Sequence, residues 1–159
     1  MRQVELPPAA RALSTLPRID YSDAFCVESG STQNWSAEQW ARAILQDAPV
    51  AMRTRLLLGW STIGLKPTAG GSVVLGWEIR ASTTDFVLLG RDSYIGMPGE
   101  LLFKREPEAL LFATFVHHAN HIARAVWAAV EPTHVRIVRQ LLERAGPRFP
   151  GAAPCDRNG

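Results

Sequence analysis

Imidazoles form the densest concentration of reactive side chains in this sequence. His117, His118 and His121 share one corner, and His134 follows. Zinc takes three or four N, O or S ligands in tetrahedral geometry. His117 and His118, however, are consecutive, so a continuing strand sends them to opposite faces of a sheet. Neither Cys-x-x-Cys nor His-Glu-x-x-His accompanies them, so no metal centre is expected. The competing reading of these three residues is a strand end and exposed corner that tolerate histidine.

His134 stands apart, two residues after Pro132 and on the apolar side of a helical pattern. A buried imidazole there needs a hydrogen-bond partner. It is either a structural histidine with its bonds made, or a polar anchor or acid/base group facing a cavity. The sequence ties no nucleophile or base to it, although Tyr21, Tyr94 and Asp92 are further acid/base candidates. Arg124, near the start of the same helix, could grip a carboxylate through its planar guanidinium. Its alternatives are an ion pair with Asp20, Asp23 or Glu131, or a solvated surface position. Trp127 falls on the apolar helix face and Trp77 in a strand-like run; both are candidate cavity liners, along with Trp35, Trp40 and Trp60. Large aromatics at such spacing also serve simply as core. The ligand-binding candidates are therefore Trp77, Arg124, Trp127 and His134.

Composition limits what these residues can be part of. A chain of 159 residues with 47% apolar and 20% charged residues has the make-up of one globular domain with a single core. A formal charge of +2 is too small to suggest nucleic acid, and the arginines are scattered, not patched. Cys26 and Cys155 provide no disulfide framework, and Cys26 reads as a small buried hydrophobe. No apolar run reaches the roughly 18–20 residues of a bilayer span, and the first residues lack the apolar core of a signal peptide. Asn34-Trp35-Ser36 then reads as a chance glycosylation match, and the cytoplasm is the expected compartment. Gly70-Gly71 lacks the Lys-Ser/Thr of a phosphate-binding loop. No cofactor is expected.

The elements that must position these side chains follow from periodicity. Residues 1–18, with Pro7, Pro8 and Pro17, read as an arm holding about one helical turn. A first strand over 19–27 puts Tyr21 and Phe25 on one face and ends in a turn at 29–31. Ser36 and Gln39 form a capping-box pair that opens a helix to about residue 46. Asp47-Ala48-Pro49 restarts a second helix, with Asp as cap and Pro in its first turn, ending near Gly59. After a loop at 66–71, strand-like runs over 73–80, 86–91, 99–104 and 110–116 recur at hairpin spacing, which favours antiparallel pairing. Glu78, Arg80, Glu100 and Lys104 are expected at solvent-facing or rim positions. In 110–116 every residue except Thr114 is apolar. Beyond it Trp127, Val130, His134, Ile137, Val138, Leu141 and Leu142 recur at three- and four-residue steps, giving a long helix interrupted at Pro132. The domain is expected over 19–146, followed by a tail over 147–159 that includes Cys155.

This order resembles the helix-grip fold, an α+β architecture in which a curved antiparallel sheet grips a long C-terminal helix. Two stretches sharpen the resemblance. Asp20-Tyr21-Ser22-Asp23-Ala24-Phe25 looks like the opening motif of a bacterial family called domain of unknown function 2867. Asn120-x-x-x-Arg124-x-x-Trp127, with Pro132-x-His134 and the Leu-Leu-x-Arg-Ala ending, looks like its C-terminal signature. The resemblance covers roughly residues 4–145. It implies a START-type or polyketide-cyclase-like (SRPBCC) cavity between sheet and helix, in a class that mostly binds lipids, sterols or aromatic compounds.

The leading expectation is accordingly a bacterial, non-enzymatic protein that holds an apolar small molecule, lipid-like or aromatic. The alternatives are an enzyme of the cyclase or dehydratase kind using His134, and an interaction module without a ligand. Fold analogy alone does not choose among them.

Overall fold

The apolar run around residues 110–116 lies in the interior of a sheet, with a neighbouring strand on each side. The computed structural model describes residues 1–28, 35–68 and 71–145. In chain order the elements are β1 (Arg2–Gln3), α1 (Pro8–Arg11), β2 (Tyr21–Glu28), α2 (Ala37–Leu45), α3 (Val50–Thr62), β3 (Val73–Val74), β4 (Trp77–Ser82), β5 (Phe86–Arg91), β6 (Gly99–Glu106), β7 (Ala109–Val116) and α4 (His121–Ala145). Among the described residues the strands form one seven-stranded sheet in the order β1-β2-β7-β6-β5-β4-β3, antiparallel throughout. β2 therefore closes against the last strand, Tyr21 opposite Val116 and Phe25 opposite Phe112. The fold is α+β, an open antiparallel sheet with a C-terminal helix.

Alternation divides the central strands between two apolar layers. Phe25, Leu101, Phe103 and Phe112 pack with Trp40 and Ile44 of α2 and with Val138, Leu141 and Leu142 of α4. Ala24, Leu88, Leu102, Leu111 and Phe115 face the other way, against Val4, Leu6, Ala10, Leu13, Leu16 and Ile19. The arm over residues 1–18 is thus laid across the back of the sheet. A strand covered on both faces needs apolar residues at consecutive positions, which is why β7 reads as a continuous run.

Four local expectations are corrected. The run 73–80 is not one strand: Leu75 and Gly76, at φ 47° and 81°, turn β3 back onto β4, with Val74 opposite Trp77. A two-residue hairpin of this hand needs positive φ at both central positions, and Gly76 meets that need without strain. Pro49 occupies the N-cap position of α3 instead of its first turn, and α3 continues to Thr62. α4 runs through Pro132 without a break. The missing proline N–H strands the carbonyl of Ala128, an exposed residue, where water can satisfy it. Cys26 is half-buried, not buried. The Ser36–Gln39 capping box forms as expected, with both reciprocal bonds made.

Glu100 is a further correction, and the largest in energy. Expected at a solvent-facing or rim position, it is fully buried on the back of the sheet. Ser14 Oγ donates to its Oε2 at 2.5 Å, the Thr15 N–H at 3.1 Å to Oε1, and Thr15 Oγ1 donates as well. Arg80 Nη1 completes the set at 2.9 Å. Gly90 lies under Arg80, where a Cβ would sit 1.9 Å from Arg80 Nε, so only glycine lets the side chain cross the strand there.

Packing of α4 is directly testable. Leu141 is 5% exposed, yet it also lines two cavities, so part of its surroundings is already void. Leu141→Ala is expected to destabilise by about 2 kcal/mol, the low end for a buried leucine. A loss below about half a kcal/mol in urea melts would contradict its placement.

Candidate functional site

Between α3, α4 and the sheet lies a cavity of about 280 Å³. Leu56, Trp60 and Ile63 come from α3, Trp127, Val130 and Ile137 from α4, and Leu101 and Phe112 from the sheet. A recess of about 40 Å³ shares Trp60, Leu101, Trp127 and His134 with it and adds Trp77, Met97, Gly99 and Thr114. Of the four ligand-binding candidates, the fold brings Trp77, Trp127 and His134 together here. Arg124 is exposed on the first turn of α4 and lines neither space.

His134 is held by its neighbours on three sides. The Trp127 ring lies 5.1 Å away, and Tyr21 meets the imidazole edge-on at 6.2 Å. Its Nε2 stands 3.2 Å from Asp23 Oδ2. That is ion-pair distance, but the atoms are not aligned for a hydrogen bond, and Nε2 has no other hydrogen-bond partner in the protein. Tyr21 OH donates to the same Oδ2 at 3.0 Å. Burial and the Asp23 charge push the Tyr21 hydroxyl far above its usual pKa, so it stays a donor. Asp23 Oδ1 is buried without a partner, as is the hydroxyl of Thr114, the residue opposite Asp23 on β7.

Asp23 and Thr114 are the functional candidates that sequence reasoning passed over. The signals were present. Tyr21 and Phe25 share one face of the first strand, and alternation puts Asp23 between them on that face. Thr114 is the single polar residue in an otherwise apolar strand.

The remaining candidates lie elsewhere. Tyr94 is 72% exposed, with Lys66 Nζ 5.2 Å from its ring centre. Asp92 is exposed and pairs with Arg80 at 3.1 Å. Among the described residues no group of three or more His, Cys, Asp or Glu side chains is placed to hold a metal. No described helix is long and apolar enough to cross a membrane.

The histidine corner instead organises the junction between β7 and α4. Asp20 Oδ2 accepts from the His118 N–H at 2.8 Å and lies 2.8 Å from His117 Nδ1, while Arg18 Nε pairs with Oδ1 at 2.7 Å. Asn120 Oδ1 caps α4 by accepting from the Ala123 N–H at 2.8 Å, and its Nδ2 donates to the Ile95 carbonyl at 3.0 Å. Burial pushes the His118 imidazole below its ordinary pKa. The His118 N–H, then Arg18 and His117, hold the Asp20 carboxyl well below the usual carboxylate range. A depressed folded pKa means the stabilisation is complete above the ordinary carboxylate value, about 4, and is lost as pH falls below it. Thermal stability is expected to drop on acidification from about pH 5 to 2, and Asp20→Asn to flatten that drop. An unchanged acid limb in the variant would show that Asp20 does not carry it.

No protein-family model and no curated protein matches this chain.

Proposed function

We propose that this protein binds an apolar small molecule in the cavity between α3, α4 and the sheet. The observation that carries the reading is an almost wholly apolar cavity with a cluster of polar side chains at its floor. Ligand pockets are commonly apolar with a few placed polar groups, at roughly 300–1,000 Å³. At about 280 Å³ the cavity suits a compact, ring-sized molecule better than a long lipid chain. The sheet order and C-terminal helix are compatible with the helix-grip, START-type architecture, and the resemblance of the 20–25 and 120–145 stretches is what supports the domain of unknown function 2867 family in this reading. The setting in this reading is the bacterial cytoplasm, with no cofactor, metal or nucleic acid involved.

One observation favours a second reading, an acid/base enzyme of the cyclase or dehydratase kind. Asp23 lies against His134 and is itself held by Tyr21. A carboxylate beside an imidazole orients it and stabilises the imidazolium formed when it accepts a proton. In that case His134 is the acid/base group, with Asp23 and Tyr21 as positioning residues.

Gly59 separates binding from folding. It lines the cavity from α3, and a Cβ there meets nothing within 4 Å. Gly59→Leu should fill the cavity while stabilising the helix by about 0.5–1 kcal/mol. N-phenyl-1-naphthylamine is expected to bind with quenching of tryptophan emission, and the variant to lose at least about tenfold in affinity, or 1.4 kcal/mol. Equal affinity in a more stable variant would place the probe outside the cavity.

A further inference from the structure

Buried polar atoms without partners are uncommon, because each costs roughly 1–3 kcal/mol. Of seven such atoms among the described residues, four belong to residues lining the 40 Å³ recess: Trp77 Nε1, Thr114 Oγ1, Trp127 Nε1 and His134 Nε2. Scattered packing defects would not gather around one space. The recess exceeds the roughly 10–15 Å³ that a single water needs, so it has room for an oxygen and its first carbon.

The chemistry of these atoms selects the group that fits. An indole N–H can only donate, and a threonine hydroxyl can donate or accept. Two fixed donors, an adaptable hydroxyl and the His134 imidazole nitrogen, which donates in one tautomer, complement an oxygen acceptor. Charge decides which oxygen. No lysine or arginine lines the recess. The buried guanidinium of Arg91 lies outside that lining: it stands 5.5 Å and 5.8 Å from the Trp60 and Trp77 ring centres and donates from Nε to the Lys66 carbonyl at 2.9 Å, with Nη1 left without a partner. A carboxylate placed in the recess would be stripped of water with no cation to replace it, whereas a ketone or alcohol oxygen loses far less.

Given a ligand in the cavity, as proposed above, we infer that it is an uncharged ring compound with one ketone or alcohol oxygen. That oxygen sits in the Trp77–Thr114–Trp127 recess, and the hydrocarbon body fills the apolar space under α3. Thr114 reads the oxygen, and the two indoles fix its position.

Four bicyclic compounds with one skeleton test this by calorimetric titration of the full chain: tetralin, 1-tetralone, 1-tetralol and 1,2,3,4-tetrahydro-1-naphthoic acid. A purely apolar cavity ranks tetralin first, because the oxygenated compounds give up hydration. The recess reverses that order: tetralone and tetralol are expected to bind about tenfold more tightly than tetralin, with the acid weakest, a step of about 1.4 kcal/mol. Thr114→Val keeps the shape and removes an unpartnered hydroxyl, so it should fold normally and lose at least about threefold in preference for the oxygenated pair over tetralin. Independently of any variant, the carbonyl stretch of bound tetralone should shift below its value in hexane. Tetralin binding as tightly as tetralone, or an unshifted carbonyl, overturns the assignment and leaves apolar binding intact. Failure of all four to bind removes the binding reading itself.

Discussion

Deletion of residues 1–18 is expected to leave a chain that does not fold as a monomer. Val4, Leu6, Leu13 and Leu16, with the flanking Ile19, are half-buried against the back of the sheet. At about half of the roughly 1.5–3 kcal/mol for full burial, the four deleted side chains together contribute on the order of 3–6 kcal/mol. A whole domain is stable by only about 5–15 kcal/mol. The deletion also uncovers Leu88, Leu102, Leu111 and Phe115 and removes Ser14 and Thr15 from the fully buried Glu100. Circular dichroism and gel filtration should show loss of the cooperative melt or an aggregated species. A truncated monomer that melts within about 2 kcal/mol of the full chain would show the arm to be dispensable.

The second large effect is expected at Arg80. Its guanidinium is the charge partner of Glu100, whose side chain is 0% exposed, and it lies in the groove left by Gly90. Arg80→Ala leaves the carboxylate with neutral donors only, and breaking a buried pair from one side typically costs about 3–5 kcal/mol. The double variant Arg80→Ala with Glu100→Leu removes the uncompensated charge and should recover much of the loss, because the pair itself contributes less than its breakage costs. Urea melts of the single and double variants measure both quantities. A single variant within about 1 kcal/mol of the parent would mean that Glu100 needs no cation.

The same glutamate shows where sequence reading stopped. Alternation along β6 assigns Glu100 to the face opposite Leu101, and that assignment holds. Nothing in the strand itself announces that residues 4–19 cover that face, so from sequence it reads as solvent-facing. Elements set by local chemistry were legible: the Ser36–Gln39 cap, the antiparallel runs, and the stripe from Trp127 to Leu142. The β3–β4 hairpin was not, because Leu75 enters the left-handed region against its own preference.

In the cavity, Trp127 and His134 were visible from the helical period alone. Their partners were hidden because a cross-strand neighbour is fixed by register. Asp23 meets Thr114 and His134 only once β2 has paired with β7. Arg124 carries suitable chemistry but occupies the outer turn of α4, a position that helical period does not fix without a capping residue. Asn120 is that residue. Cys155 and the tail over 147–159 lie outside the described residues.

The central claim is that the space beneath α3 is a ligand site, and methyl-resolved NMR of the chain labelled at Ile, Leu and Val addresses it most directly. On titration with 1-tetralone, the methyl groups of Leu56, Ile63, Leu101, Val130 and Val138 line the cavity and should shift together. Val50 and Leu58, exposed on α3 at 68% and 63%, should not. Shifts confined to Val50 and Leu58, with the cavity methyls unmoved at saturation, would contradict the account and identify α3 as a contact surface instead.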